Sequence, residues 1–153
     1  MNLELTVNGS AVVREIEPQE LLLDFLRDRL DLKGAKASCE VQVCGACTVL
    51  LDGEPVSACC LLAADAHGRD VLTIEGLREQ ERFVQLEEAF TRHAAVQCGF
   101  CTPGMLLTIA ALQATGELGD DEQIRHGLAG NLCRCTGYRG ILEAVRDIAG
   151  VDA

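Results

Sequence analysis

Cys39-Glu40-Val41-Gln42-Val43-Cys44-Gly45-Ala46-Cys47-Thr48-Val49-Leu50-Leu51-Asp52-Gly53-Glu54-Pro55-Val56-Ser57-Ala58-Cys59-Cys60 decides the fold of this 153-residue chain. From Lys33 to Cys47 there is no apolar period, which reads as a loop carrying three thiols. Thr48 to Leu51, the turn signal Asp52-Gly53, and Glu54 to Ser57 read as a β-hairpin that brings further thiols back to that loop. Working outward, Leu3-Glu4-Leu5-Thr6-Val7 alternates apolar and polar residues. Asn8-Gly9 is a second tight turn, and Val12 to Ile16 continues as a strand. Pro18 precedes a helical apolar stripe over Leu21 to Arg27, and Val71-Leu72-Thr73-Ile74 reads as a last strand. Strands wrapped around one helix in this order predict a β-grasp arrangement.

The pattern changes near Gly76. Strand alternation gives way to helical segments at 83–92, 102–114, 120–127 and 138–149. Thr115-Gly116 and Gly127 read as helix stops, and Asp120 and Thr136 as caps. The predicted fold is therefore α+β: a first unit over 1–77 and a helical bundle of four helices over 78–153. Each unit has about 75 residues, a size at which an apolar core alone gives marginal stability and a metal centre would supply cross-links.

Composition narrows the chemistry. Thirteen basic against 24 acidic residues give a net charge of −11, and aromatic residues are scarce, so nucleic acid is a poor partner. The start of the chain has neither the basic nor the apolar region of an export signal, and no apolar run is long enough to span a bilayer. Both features point to the cytoplasm. Nine cysteines in a reducing compartment, an odd number, do not form a disulfide framework. They fall into two groups, one for each half. Cys39-x4-Cys44-x2-Cys47 followed by Cys59 is the spacing with which plant-type ferredoxins hold a [2Fe–2S] cluster. Cys59 and Cys60 would point to opposite sides of an extended segment, so Cys59 is chosen as the ligand and Cys60 as a buried spare thiol. The second group is Cys98-x2-Cys101 with Cys133-x-Cys135. Each pair precedes a helix, with Thr102-Pro103 and Thr136 as candidate N-terminal residues. Two helix N-termini would then favour the negative charge of a thiolate-bound cluster. A four-thiolate zinc site is the alternative for either group, and less readily set aside for the second.

Three stretches resemble a known family. Cys44 to Gly53, Gln97-Cys98-Gly99-Phe100-Cys101-Thr102-Pro103-Gly104-Met105 and Gly130-Asn131-Leu132-Cys133-Arg134-Cys135-Thr136-Gly137-Tyr138 are similar to the small iron–sulfur subunit of molybdenum hydroxylases. That family comprises xanthine oxidase, carbon monoxide dehydrogenase and aldehyde oxidoreductase. The resemblance covers nearly the whole chain and implies a ferredoxin-like first domain, a four-helix second domain and two [2Fe–2S] clusters. It also implies single-electron transfer from a molybdopterin centre to FAD or another acceptor. Molybdopterin (Mo) and FAD would sit in partners, a large molybdenum subunit and a medium FAD subunit, assembled as a dimer of heterotrimers. Gln97 and Cys135 match positions that contact the pterin. Substrate chemistry belongs to another chain, so the substrate and the final acceptor stay open. The alternatives are a free-standing ferredoxin-like carrier and a zinc-binding interaction module.

One departure from the family pattern concerns the first loop. Many members carry C-G-x-G-x-C, where this chain has Cys39-Glu40-Val41-Gln42-Val43-Cys44. Losing the glycines puts the backbone N–H pattern around that cluster in question, although Glu40 itself reads as solvent-facing. His67, His93 and His126 are too scattered to form a metal set, and Arg134 and Arg139 read as solvated or ion-paired. No phosphate-binding glycine loop is present. Eight thiolates and two oxidised cluster cores would take the charge from −11 to about −15.

Overall fold

The computed structural model describes residues 1–151; Asp152 and Ala153, the end of the expected second unit, lie outside the described residues. Strands β1 (Asn2–Val7), β2 (Ser10–Glu15), β3 (Thr48–Leu51), β4 (Glu54–Ser57) and β5 (Asp70–Leu72) form one mixed sheet in the order β2-β1-β5-β3-β4. Only the β1–β5 pair is parallel. The two hairpins turn where the sequence places them. Asn8 and Gly9 have φ of 51° and 78°, and Asp52 and Gly53 have 52° and 88°, the left-handed pairs that match strand twist.

Two sequence expectations in this half need correction. The stripe at Leu21 to Arg27 is helical only as α1 (Leu22–Asp24), after which the chain widens into a π turn over Phe25–Arg29. Phe25 and Leu26, adjacent in sequence, are both fully buried there. The last strand stops at Leu72. The Thr73 N–H donates to Asn8 Oδ1 (2.9 Å) and Asn8 Nδ2 donates to Thr73 Oγ1 (3.0 Å). A side chain therefore replaces the ladder, and Ile74 opens the short helix α2 (Ile74–Leu77).

Four helices follow: α3 (Glu81–Arg92), α4 (Thr102–Thr115), α5 (Asp121–Gly127) and α6 (Arg139–Ala149). Asp120 caps α5, its Oδ1 accepting from the Gln123 N–H at 2.8 Å, and Gly116 ends α4 at φ 76°. Gly127 is the last helical residue of α5 rather than the residue beyond it. Asp121 then ties α5 to α6 through Arg146, and these guanidiniums, Arg125 first, hold its carboxyl below the usual range. Among the described residues no helix is long and apolar enough to cross a membrane.

What positions the functional groups is β3. All four of its residues are buried. Val49 and Leu51 pack with Leu3, Leu22, Phe25 and Leu26 on one face, whereas Leu50 packs with Met105, Leu106 and the helical core on the other. A strand covered on both faces loses its polar alternation, as Thr48-Val49-Leu50-Leu51 does. The loop that enters β3 is thereby held between the sheet and α4.

Candidate metal centres

The first group of thiols is built by the loop before β3 and the turn after β4. Glu40 and Gln42 adopt φ of 56° and 59°, a left-handed conformation that glycine takes freely and other residues at a cost of roughly 1–2 kcal/mol. These are the positions at which many relatives of the resembled family have glycine. The doubt about the N–H pattern is therefore answered: the backbone is turned as glycines would turn it. The Val43 N–H donates to Cys39 Sγ at 3.4 Å. The N–H groups of Val41, Val43 and Cys44 together draw the Cys39 thiol down to about 6.

Thr48 pairs with Ser57, so the residues flanking that pair also meet: the Ala58 N–H donates to the Cys47 carbonyl at 3.4 Å, and Cys59 comes beside Cys47. Both are buried, and burial first, then Cys59, pushes the Cys47 thiol up to about 11. Cys39 interacts with Cys44 and Cys47 with Cys59, giving two pairs of thiols. Cys60 departs from expectation. It is exposed, and because Ala58–Cys60 is a 3-10 turn rather than an extended segment, its Sγ lies 3.7 Å from that of Cys59, on the same side.

The second group also forms two pairs. Cys98 Sγ and Cys135 Sγ are 3.5 Å apart, both exposed, and Cys101 interacts with Cys133 further in. Burial and the Cys133 neighbour push Cys101 up to about 12, whereas Cys133 is lowered. Its burial opposes that lowering and the Thr136 hydroxyl and N–H outweigh it, at 3.1 and 3.4 Å from Cys133 Sγ. Thr136 thus serves a thiol and is not the cap expected of it: its Oγ1 accepts from the Tyr138 N–H at 3.2 Å, but Tyr138, at φ 67°, is the residue that precedes α6. In the same way Cys101, not Thr102, precedes α4, with Pro103 in its first turn. The Cys133 N–H donates to Tyr138 Oη (2.8 Å), and that hydroxyl donates to the Asn131 carbonyl (3.4 Å). Composition and spacing gave no signal for these roles of Thr136, Tyr138 and Asn131, since each depends on a turn formed only in the fold.

The two groups are neighbours. The Leu132 N–H donates to the Cys44 carbonyl at 2.9 Å, and Asn131, 4% exposed, donates from Nδ2 to the Gly45 carbonyl at 3.2 Å. Cys44 and Ala46 share a cavity of about 560 Å³ with Cys98, Phe100, Leu132 and Cys135. Gln97 is exposed beside Cys98. The histidines lie apart: His67 accepts from the Glu4 N–H, His93 pairs with Asp147, and His126 faces solvent.

These donors fit a two-iron cluster. Such a core takes two thiolates on each iron, and each group offers two pairs. A zinc site instead brings four thiolates onto one ion at about 2.3 Å.

Comparison with known proteins agrees. Residues 5–73 match the 2Fe-2S iron-sulfur cluster binding domain and residues 73–146 the [2Fe-2S] binding domain. The chain is 45% identical over 150 residues to the caffeine dehydrogenase subunit gamma of Pseudomonas sp. (strain CBB1), covering 96% of this chain and 90% of that one. It is 40% identical over 149 residues to the xanthine dehydrogenase iron-sulfur-binding subunit of Escherichia coli O157:H7, covering 96% and 93%. The solved structure of quinoline 2-oxidoreductase from Pseudomonas putida 86 superposes with a TM-score of 0.91 at 44% identity, over 97% of this chain and 92% of that one. With thiols paired for two clusters and relatives matched nearly end to end, the chain belongs to the small iron–sulfur subunits of the molybdenum hydroxylase family.

Proposed function

We propose that Cys39, Cys44, Cys47 and Cys59 hold one [2Fe–2S] cluster and Cys98, Cys101, Cys133 and Cys135 the other, and that electrons enter on the Cys135 side. As a member of this family the chain serves electron transfer in an oxidoreductase complex whose substrate chemistry lies in another subunit. When bound, each cluster supplies one-electron storage. The chain's residues do the rest. Exposed Cys135 and Gln97 present the second site to a molybdopterin cofactor in the large subunit. Tyr138 and Thr136 hold the Cys133 loop. The Leu132 N–H bonded to the Cys44 carbonyl joins the two sites by one hydrogen bond, and this contact carries the reading.

The apolar side chains left exposed divide accordingly. Val96, Phe100 and Leu132 surround the second site and suit a large molybdenum subunit; Val41 and Val43 surround the first and suit a medium FAD subunit. The remaining parts of the reading are a β-grasp unit over 1–77, a four-helix bundle over 78–153, a dimer of heterotrimers and a cytoplasmic place of work. Relatives named for caffeine and quinoline make a nitrogen heterocycle the first substrate class to screen with the large subunit.

Replacing Cys135 with Ala in the purified complex tests the route. Substrate should no longer bleach the iron–sulfur absorption, while dithionite still reduces the first site. Normal turnover by that variant would overturn the route. A chain that purifies without molybdenum partners would instead be a free carrier, and a colourless zinc-loaded chain an interaction module.

A further inference from the structure

Five thiols, not four, surround the first site. Cys60 sits on the same 3-10 turn as Cys59, with its Sγ 3.7 Å from Cys59 Sγ and 3.8 Å from the Glu40 carbonyl oxygen. The Gln42 N–H also points to it, and it feels the charge of Cys39. Its sulfur therefore lies against the loop from Cys39 to Cys44 and beside Cys59, which belong to the two different thiol pairs. The two vicinal thiols differ in access. Cys59 is 5% exposed and sealed by the sheet core, whereas Cys60 is open to solvent.

We propose that Cys60 is an exchangeable fifth ligand of the N-terminal cluster, able to take the iron that Cys59 holds. The proposal rests on the reading of Cys59 as a ligand. In the exchange an iron–sulfur bond to Cys60 forms while the bond to Cys59 breaks. Cys60 gives its proton to solvent, Cys59 takes one up, and no electron moves. The exchange asks little movement of this three-residue turn, because the two sulfurs already lie 3.7 Å apart. Iron arriving from solvent meets Cys60 first and passes to the buried thiol. The same exchange lets the cluster survive the loss of Cys59.

Iron analysis and the electron paramagnetic resonance of the dithionite-reduced full-length chain test this, using Cys59→Ala, Cys60→Ala and the double variant. Two [2Fe–2S] domains require four irons per chain. Cys60→Ala should keep all four with unaltered signals. Cys59→Ala should also keep four, with one of the two signals changed in shape, and the double variant should fall to two. If Cys59→Ala falls to two with Cys60 intact, the exchange is overturned while the ligand reading stands. If the double variant keeps four, the reading of Cys59 as ligand fails, and the exchange with it. Should Cys59→Ala not accumulate, the rate of loading from ferrous iron and sulfide decides. Cys60→Ala should load its N-terminal cluster several-fold more slowly than the native chain, and an equal rate overturns the proposal.

Discussion

Glu40 and Gln42 do with side chains what glycine does without them. Each holds a left-handed φ so that the intervening N–H groups reach Cys39. The conformation costs roughly 1–2 kcal/mol per residue, and glycine removes that strain but adds chain entropy of about 0.4–1 kcal/mol to the unfolded state. Glu40→Gly and Gln42→Gly should therefore each stabilise the loaded chain by a few tenths to about 1 kcal/mol, with the cluster retained. Urea unfolding followed by visible absorption measures this. Destabilisation in both would mean that their side chains contribute more than the strain removes. At the second site the corresponding residue is Tyr138, whose hydroxyl accepts from the Cys133 N–H and donates to the Asn131 carbonyl. Tyr138→Phe leaves the ring in place and removes both bonds, so it should cost about 1–3 kcal/mol. It should also alter the resonance signal of the C-terminal cluster alone, because the freed N–H lies on Cys133, a proposed ligand.

Between elements, the contact that matters is backbone against backbone. A Cβ on Gly104, in the first turn of α4, would run into the Gly45 carbonyl, the same oxygen that Asn131 and Thr48 bind. Gly104→Ala must push α4 away from the loop before β3. A cost of about 1–3 kcal/mol is expected from overpacking, together with slower electron exchange between the two sites in stopped-flow reduction. Unchanged exchange would show that the Leu132–Cys44 hydrogen bond survives the shift. Much of this architecture was legible in the sequence because local rules act there. Asn8-Gly9 and Asp52-Gly53 fixed both hairpins, Asp120 and Gly116 marked helix ends, and cysteine spacing separated the two groups. Where reading failed, a contact formed only in the fold had intervened. Asn8 captured Thr73 from 65 residues away and cut β5 short, Cys133 drew the Thr136 hydroxyl, and a 3-10 turn brought Cys60 round to Cys59. The meeting of Gly45 with Gly104 was hidden for the same reason, since a glycine's lack of a side chain says nothing about which backbone will approach it.

Over the whole molecule, the two cores do not follow the two sequence halves. Leu50 of β3 and Ile74 and Leu77 of α2 belong to the helical core with Leu86, Met105 and Ile109, although they are part of the first half of the chain. Val49 and Leu51, the neighbours of Leu50, belong to the sheet core. Neither half can then lose its packing without exposing residues of the other, and each is small enough to need that help. One cooperative transition is the expected consequence. Ellipticity at the helical band and absorption of the clusters should fall at the same denaturant concentration. Leu50→Ala truncates the side chain by which β3 enters the helical core, a packed one at 3% exposure, and should cost about 2–5 kcal/mol. Because the damage is shared, both signals should move to a lower midpoint together. If the helical signal fell first in that variant while cluster absorption persisted, β3 would be a seam between independent units, and the hydrogen bonds from Leu132 to Cys44 and from Asn131 to Gly45 would have to hold the two sites together.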